Sequence, residues 1–127
     1  MEIIRATTTA ARAGAYYVRI QAMARKHRIP LDAEFDVHDT PDTMYLVAVD
    51  DYLPVATCRL YPEDDGCMML GRVVVLPEYR RRGLGTRVVR EAESWARELG
   101  FTTVFAPEKA EGASPVTRIK DLVKALF

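Results

Sequence analysis

The stretch Gly71-Arg-Val-Val-Val-Leu-Pro-Glu-Tyr-Arg-Arg-Arg-Gly-Leu-Gly-Thr86, followed by an amphipathic segment that runs to Gly100, decides the fold of this chain. Residues 73–76 are apolar and mostly β-branched, which is typical of a buried strand, and Pro77 ends that strand because it has no backbone N–H to donate. After a loop rich in Arg and Gly, apolar residues recur at helical spacing up to Leu99. The stretch therefore predicts a strand, a short loop and a helix that begins near Gly83.

The loop in this stretch has the features of a phosphate-binding turn. The first N–H groups of a helix have no partner within the helix, and the helix dipole is positive at that end. Gly83 and Gly85 allow the backbone to approach a ligand closely, and the three arginines at 80–82 add positive charge. The loop does not end in Gly-Lys-Ser/Thr, and Val88 stands where the dinucleotide-binding fingerprint has its third glycine, so neither of those nucleotide sites is predicted.

The segment Arg80-Arg-Arg-Gly-Leu-Gly85 resembles the Arg/Gln-x-x-Gly-x-Gly/Ala signature of the GNAT N-acyltransferases, and the preceding strand with Pro-Glu-Tyr has the form that those enzymes often show. The alternative interpretation is a glycine-rich turn with solvated arginines. The resemblance implies that acetyl-CoA or another acyl-CoA is bound, with the pyrophosphate on the loop amides and the pantetheine arm along the strand. The residues it implies for donor binding are Val73, Val74, Val75, Arg80, Arg81, Arg82, Gly83, Leu84, Gly85 and Thr86.

Composition limits the other classes of function. A chain of 127 residues predicts a single domain over 1–127, and 49% hydrophobic residues with a formal net charge of zero argue against disorder and against a nucleic-acid partner. We expect no signal peptide and no membrane span, and hence a cytoplasmic protein. Cys58 and Cys67 lack metal-site spacing, so no metal is expected and both are interpreted as reduced thiols.

The remaining segments predict a mixed α/β fold. A first strand, a helix that ends near Lys26 and an acidic irregular stretch precede three antiparallel strands, and the strand after the motif helix lies parallel to the motif strand through a right-handed crossover. The expected strands are Glu2–Ala6, Met44–Asp50, Val55–Leu60, Cys67–Leu76 and Thr102–Ala106, with turns at 51–54 and 62–66. The resemblance implies a mainly antiparallel, twisted sheet flanked by helices, in which the last two strands splay apart at the acyl-CoA site.

A second group of motifs resembles a subset of small GNAT proteins, whose layout the acyl-homoserine-lactone synthases share. These motifs are Ala15-Tyr-Tyr-Val-Arg19, Ile29-Pro-Leu31, Glu34-Phe-Asp36 with Asp39, and Thr57-Cys-Arg-Leu-Tyr-Pro62.

For catalysis, Glu34 and Asp36 are the candidates for deprotonating an amine through water. Arg59 is the candidate for binding an acceptor carboxylate or for fixing the acidic loop. The alternative is a structural salt-bridge network behind the acceptor site. Met69 stands where some family members have a glutamate base on the motif strand. Tyr45, Tyr52, Tyr61 and Tyr79 are open alternatives for a general acid.

The predicted function is that of an N-acetyltransferase, which transfers the acetyl group of acetyl-CoA to a primary amine of a small molecule or peptide by direct attack. The alternatives are a non-catalytic acyl-CoA-binding module and an acyl-homoserine-lactone-like synthase. Beyond Ala106 the chain departs from the family pattern: we expect a loop over Pro107–Ser114 and a short helix after it, without the usual tyrosine helix and closing hairpin. An exposed edge beside Thr102–Ala106 then predicts a homodimer that covers it.

Overall fold

The computed structural model describes residues 1–106, and the elements of this part of the chain follow the predicted order. The strands are β1 (Glu2–Arg5), β2 (Met44–Asp50), β3 (Leu53–Asp64), β4 (Cys67–Val75) and β5 (Thr102–Phe105), and the helices are α1 (Thr9–Arg19), α2 (Leu31–Glu34) and α3 (Leu84–Glu98). A π-helical segment, Ile20–Arg25, continues α1, and a 3-10 turn, Pro77–Tyr79, follows β4.

The strands form one sheet in the order β1-β2-β3-β4-β5. The first four strands pair antiparallel, and β5 pairs parallel to β4 after the α3 crossover. This arrangement confirms the predicted mixed, mainly antiparallel α/β fold. Within residues 1–106, β5 pairs only with Cys67–Leu70, so the second half of β4 extends beyond it.

Helices cover both faces of the sheet. Tyr45 and Val47 of β2 pack with Ala15 of α1, whereas Cys58, the neighbour of Leu46 across the β2–β3 pair, donates its thiol hydrogen to the Val88 carbonyl of α3. Because alternate residues of a strand face opposite sides, β2 and β3 carry buried residues on both faces, which explains their nearly continuous apolar sequence.

Some predicted boundaries were wrong. The hairpin turn expected at 62–66 is shorter, because β3 continues through Pro62 to Asp64. Pro62 fits there because β2 ends its pairing at Leu60, so β3 has only β4 beside it at that point. The turn expected at 51–54 is also shorter, since β3 begins at Leu53. The acidic stretch is not wholly irregular, since α2 occupies its start.

Several expectations stay predictions. The loop over Pro107–Ser114 and the short helix after it lie outside the described residues, and nothing tests the single domain over 1–127 or the homodimer. Within residues 1–106, no helix combines the length and the apolar character that crossing a bilayer requires.

Replacing Leu60 by alanine tests the importance of the core. Leu60 is fully buried in β3, so its loss leaves a cavity and we expect the free energy of unfolding to fall by about 2–5 kcal/mol. The matched control is Leu99→Ala at the exposed end of α3, for which we expect a change within about 0.5 kcal/mol. Urea denaturation measures both, and equal losses in the two variants would contradict the assigned core.

Candidate active site

The loop after β4 presents the N-terminus of α3 without a side-chain cap. Gly83 is the N-cap residue at φ +74°, and the first helical bond runs from the Arg87 N–H to the Gly83 carbonyl at 3.1 Å. The N–H groups of Leu84, Gly85 and Thr86 therefore precede the first helical hydrogen bond. Such a group of N–H donors at the positive end of a helix dipole is suited to bind an anion.

The three arginines of the loop have different surroundings. Arg80 donates from Nε to the Val75 carbonyl at 3.3 Å, and the Arg82 guanidinium lies 4.8 Å from the centre of the Tyr79 ring. Arg81 is exposed at φ +64° and makes no ion pair within residues 1–106. The loop thus fixes two arginines against protein and leaves the guanidinium of Arg81 in solvent.

The backbone of β4 beyond Leu70 presents an edge away from β3. The Leu76 N–H donates to the Val55 carbonyl at 2.8 Å, and successive residues of a strand direct their backbone groups to opposite edges. The backbone groups of Val73 and Val75 therefore face away from β3, and those of Val74 face towards it. This edge begins beyond the last described β4–β5 pair and leads to the loop that starts at Arg80.

A β-bulge interrupts β4 just before this edge. Thr57 pairs with Val74 and Arg59 with Gly71, so β4 has one residue more than β3 between these pairs. Arg72 lies within the bulge at φ +48°, a conformation that non-glycine residues seldom adopt. The bulge turns the Arg72 side chain into the ion-pair cluster described next.

A buried guanidinium holds the acidic loop against α1. Arg19 is 0% exposed, and its Nε donates to Glu34 Oε2 at 2.8 Å and its Nη1 to Asp39 Oδ1 at 2.6 Å. Its Nη2 donates to the Glu34 carbonyl at 2.6 Å and to Asp39 Oδ2 at 3.0 Å. Tyr45 of β2 also donates its hydroxyl hydrogen to Asp39.

Two further arginines extend this arrangement towards the sheet. Arg59 Nη1 donates to Asp36 Oδ1 at 2.9 Å and to Asp39 Oδ2 at 3.0 Å, whereas its buried Nε has no hydrogen-bond partner. Arg72 Nη2 donates to Asp36 Oδ2 at 3.2 Å, and its Nε lies 3.4 Å from Glu34 Oε2. We call the six residues Arg19, Arg59, Arg72, Glu34, Asp36 and Asp39 the ion-pair cluster.

The ion-pair cluster controls ionisation of its aspartates. Burial opposes the ionisation of Asp39, but hydrogen bonds from Arg19 and Tyr45 outweigh it and hold its pKa well below the ordinary value. Burial also opposes the ionisation of Asp36, and the His38 N–H and Arg59 lower its pKa by the same means. The pKa of Tyr45 is raised by burial and by its bond to Asp39. Both aspartates are therefore carboxylates at neutral pH.

The sequence-predicted catalytic residues are brought together, but in different environments. Glu34 is buried between Arg19 and Arg72, and Arg59 is buried between Asp36 and Asp39. Asp36 alone of the three carboxylates has a substantially exposed side chain, at 32%. Glu34 and Arg59 are thus placed to fix the loop, and Asp36 is placed to meet a ligand.

A pocket of about 360 Å³ opens beside Asp36. Its walls come from the acidic loop (Asp36, His38), from β3 (Arg59, Tyr61, Glu63) and from the end of the β4–β5 pairing (Met69, Arg72, Ala106). The His38 ring stacks on the Tyr61 ring with centroids 4.1 Å apart. The sequence analysis did not name His38 among the candidate residues. Arg59 and Tyr61 are two residues apart and therefore lie on one face of β3. This spacing was the sequence signal that could have placed Tyr61 beside Arg59 in the pocket.

The four candidate tyrosines separate in the structure. Tyr45 is fully buried against Asp39, and Tyr52 is exposed in the turn before β3. Tyr79 donates to Asp50 Oδ2 at 2.9 Å. Tyr61 is the one of the four that lines the pocket beside Asp36.

A second pocket, of about 530 Å³, lies between the π-helical segment and the end of β4. Gln21, Arg25 and Lys26 line one side, and Pro77 and Glu78 line the other, immediately before the arginine loop. The sequence analysis did not predict this pocket. It places two further cations beside the β4–α3 connection.

Comparison with known proteins gives a consistent result. The sequence profile described as the acetyltransferase (GNAT) family matches residues 9–114. A candidate N-acetyltransferase from Lactobacillus plantarum, known from its crystal structure, is 33% identical, with a TM-score of 0.79 over 91% of this chain and 92% of that one. An uncharacterised acetyltransferase of Streptococcus pyogenes serotype M1 is 34% identical over 54% of this chain and 48% of its own length. The chain thus spans about half the length of the curated relatives it matches.

More distant structures share the fold. A GNAT family acetyltransferase from Brucella melitensis in complex with acetyl-CoA is 20% identical, with a TM-score of 0.66 over 86% of this chain and 77% of that chain. An aminoglycoside 6'-N-acetyltransferase complexed with coenzyme A is 18% identical, with a TM-score of 0.66 over 83% of this chain and 61% of that one. At these identities the likeness shows the architecture alone.

Replacing Asp39 by asparagine tests the ion-pair cluster. The change removes a buried carboxylate that pairs with both Arg19 and Arg59, leaving Arg19 with Glu34 and Arg59 with the partly exposed Asp36, and we expect the free energy of unfolding at neutral pH to fall by about 3–5 kcal/mol. Since the pKa of Asp39 is lower in the folded state, its stabilisation is complete above about pH 4, the unfolded value, and is lost as the pH falls through the folded value. The variant should therefore lose part of the acid sensitivity of unfolding.

The control for this prediction is Asp42→Asn, an exposed carboxylate of the same loop. Urea denaturation between neutral and acidic pH measures both variants. If both lose the same stability, or if Asp39→Asn keeps the acid dependence of the unaltered protein, the assigned role of Asp39 is wrong.

Proposed function

The chain belongs to the acetyltransferase (GNAT) family, and from that premise we propose that it transfers the acetyl group of acetyl-CoA to a primary amine of a small molecule or peptide. One observation carries the proposal: within residues 1–106, the edge of β4 beyond its pairing with β5 is unpaired and leads directly to the N-terminus of α3, which has no side-chain cap there. A long donor with a phosphate group at one end and a polar arm fits such a continuous site.

The residues of the loop are suited to this donor. The N–H groups of Leu84, Gly85 and Thr86 would bind the pyrophosphate, with Arg80, Arg81 and Arg82 adding charge. A Cβ atom built on Gly83 would meet no atom within 4 Å, so the space beside the loop is open. The backbone groups of Val73 and Val75 would pair with the arm, and Val74 would support them from the β3 side.

The chemistry requires a thioester carbonyl held against hydrogen-bond donors and an amine that has lost its proton. The donor supplies the activated acetyl group. Backbone N–H groups along the β4 edge would stabilise negative charge on the carbonyl oxygen as the amine attacks. Asp36 is proposed to contact the acceptor, and Glu34 and Arg59 to position Asp36 and its loop.

A second function, a non-catalytic acyl-CoA-binding module, is favoured by one observation. Hydrogen bonds from the His38 N–H and Arg59 lower the pKa of Asp36 and make it a weak base, and Glu34 is buried between the guanidinium groups of Arg19 and Arg72. Titration calorimetry with acetyl-CoA and CoA tests the donor site, and release of free thiol over a panel of primary amines tests transfer. Binding with turnover supports the enzyme, binding without turnover supports the module, and absence of binding contradicts both.

Replacing Arg81 by glutamate tests the loop. A negative side chain beside the phosphate site should raise the dissociation constant of CoA at least about tenfold, since hydrogen bonds to charged groups contribute roughly 1.5–3 kcal/mol. Arg90→Glu makes the same change of charge on an exposed position in the middle of α3 and should leave binding nearly unchanged. Calorimetry measures both constants, and equal effects would indicate general electrostatics instead of a local site.

A further inference from the structure

The pocket beside Asp36 adjoins the place where the β4 edge opens. Met69 and Arg72 of β4 and Ala106 after β5 line it, and the Ala106 N–H donates to the Leu70 carbonyl at 2.8 Å. Further along β4, the backbone groups of Val73 and Val75 face the same way, and these are the groups proposed to bind the donor arm. A molecule in this pocket therefore lies against the start of that arm, on the α1 face of the sheet.

The charges around the pocket favour a cation. The three arginines of the ion-pair cluster are matched by its three carboxylates, so the cluster has no net charge. Glu63 is a further carboxylate in the pocket wall, and within residues 1–106 it has no ion-pair partner. The pocket wall itself carries two carboxylates, Asp36 and Glu63, and two guanidinium groups, Arg59 and Arg72. Both guanidinium groups are ion-paired within the cluster, so Glu63 is the wall charge that a bound cation would pair with.

His38 lies in the pocket wall, and within residues 1–106 its ring nitrogens have no hydrogen-bond partner. The backbone N–H of His38 donates to Asp36 Oδ1 at 2.9 Å, and its backbone carbonyl accepts from the Thr43 hydroxyl. The imidazole ring stacks on the Tyr61 ring. Within residues 1–106 these contacts use only the backbone and the ring face. Both nitrogens of the imidazole therefore remain available to a ligand.

We propose that this pocket is the acceptor site, that it takes a positively charged primary amine, and that His38 is the catalytic residue that removes the proton of that amine. The proposal rests on the proposed acetyl transfer and adds to it the pocket that binds the acceptor and the residue that acts as the base. Imidazole is suited to this role because its ordinary pKa, about 6.5, lies close to neutral pH. The pKa values of Asp36 and Asp39 are held below the ordinary carboxyl value, so these two carboxylates are much weaker bases.

The proton balance of the step is complete. His38 takes one proton from the ammonium group, and the neutral nitrogen forms a bond to the thioester carbonyl carbon. When the tetrahedral species collapses, the carbon–sulfur bond breaks and the sulfur leaves with its electron pair. The second proton of the nitrogen passes to that sulfur, and protonated His38 releases its proton to solvent.

The charged groups that face His38 come from three elements. Asp36 lies on its own loop, Arg59 and Glu63 lie on β3 with Tyr61, and Arg72 lies on β4. Because only the neutral imidazole can accept a proton from the amine, we expect the rate to fall on the acid side of the pH profile.

Amine binding is tested on the unaltered protein by nuclear magnetic resonance. The chain has two histidines, so the ring signals of His38 and His27 can be assigned with His38→Gln and His27→Gln variants. We expect n-butylamine to shift the His38 signal saturably and to leave His27 in place, whereas n-butanol and butyrate have little effect. An unmoved His38 signal, or an equal response to butyrate, would overturn the assignment of the pocket.

The role of His38 as a base is tested by the pH dependence of kcat with acetyl-CoA and n-butylamine. We expect His38→Gln to lower kcat at least about 100-fold and to remove the acid limb, with KM for acetyl-CoA little changed, and His27→Gln to retain both. If His38 had only a structural role, His38→Gln would lower kcat but would keep the decrease of kcat on the acid side of the pH profile. If acetyl-CoA binds and is turned over while His38→Gln keeps kcat and the limb, the base is wrong and the proposed function stands.

If acetyl-CoA does not bind in calorimetry, the proposed function fails together with the role of His38 as a base. The resonance titration still decides whether the pocket takes a cationic amine. The two failures are therefore distinguishable.

Discussion

A fully buried guanidinium imposes the main constraint on this structure. The Arg19 side chain has no contact with solvent. Moving a charge out of water costs free energy unless the hydrogen-bond donors of the charged group find partners in the protein. Two carboxylates and a backbone carbonyl accept its hydrogen bonds, and they belong to Glu34 at the end of α2 and to Asp39 in the loop before β2. A segment with little regular structure is thereby held in one conformation against α1 and the sheet. Asp36 and His38 inherit their positions from this constraint, although neither touches Arg19.

This arrangement brings two proposed binding surfaces of different kinds next to each other, one along the edge of β4 and one beside Asp36. The proposed donor surface is made of backbone: the edge of β4 that is unpaired within residues 1–106 and the first turn of α3. The proposed acceptor surface is made of side chains held by the ion-pair cluster. Backbone geometry depends on the fold as a whole, whereas a side chain can be changed by a single substitution.

The sequence alone predicts the first surface better than the second. A strand, a proline, a glycine-containing loop and an amphipathic helix are local patterns within residues 71–100, and the structure has these elements in that order. The ion-pair cluster joins residues 15 to 38 positions apart, such as Arg19 with Glu34 and Arg72 with the Glu34 carbonyl. Motif resemblance selected Glu34, Asp36 and Arg59 together. It had no means of showing that Glu34 is buried between two arginines or that His38 stacks on Tyr61, because both depend on tertiary packing.

The bulge in β4 gives the strand an additional residue relative to β3. In evolutionary terms it is a one-codon difference: a gene that lost one codon between positions 71 and 74 would encode a strand in regular register. Such a chain would still pair with β3, but without the bulge the left-handed conformation that directs Arg72 towards the acidic loop would be lost. Insertions and deletions in strands are usually eliminated by selection because they shift side chains to the wrong face. Here the additional residue places the Arg72 side chain in the ion-pair cluster. Selection can therefore act on the length of this strand as it acts on the identity of a residue.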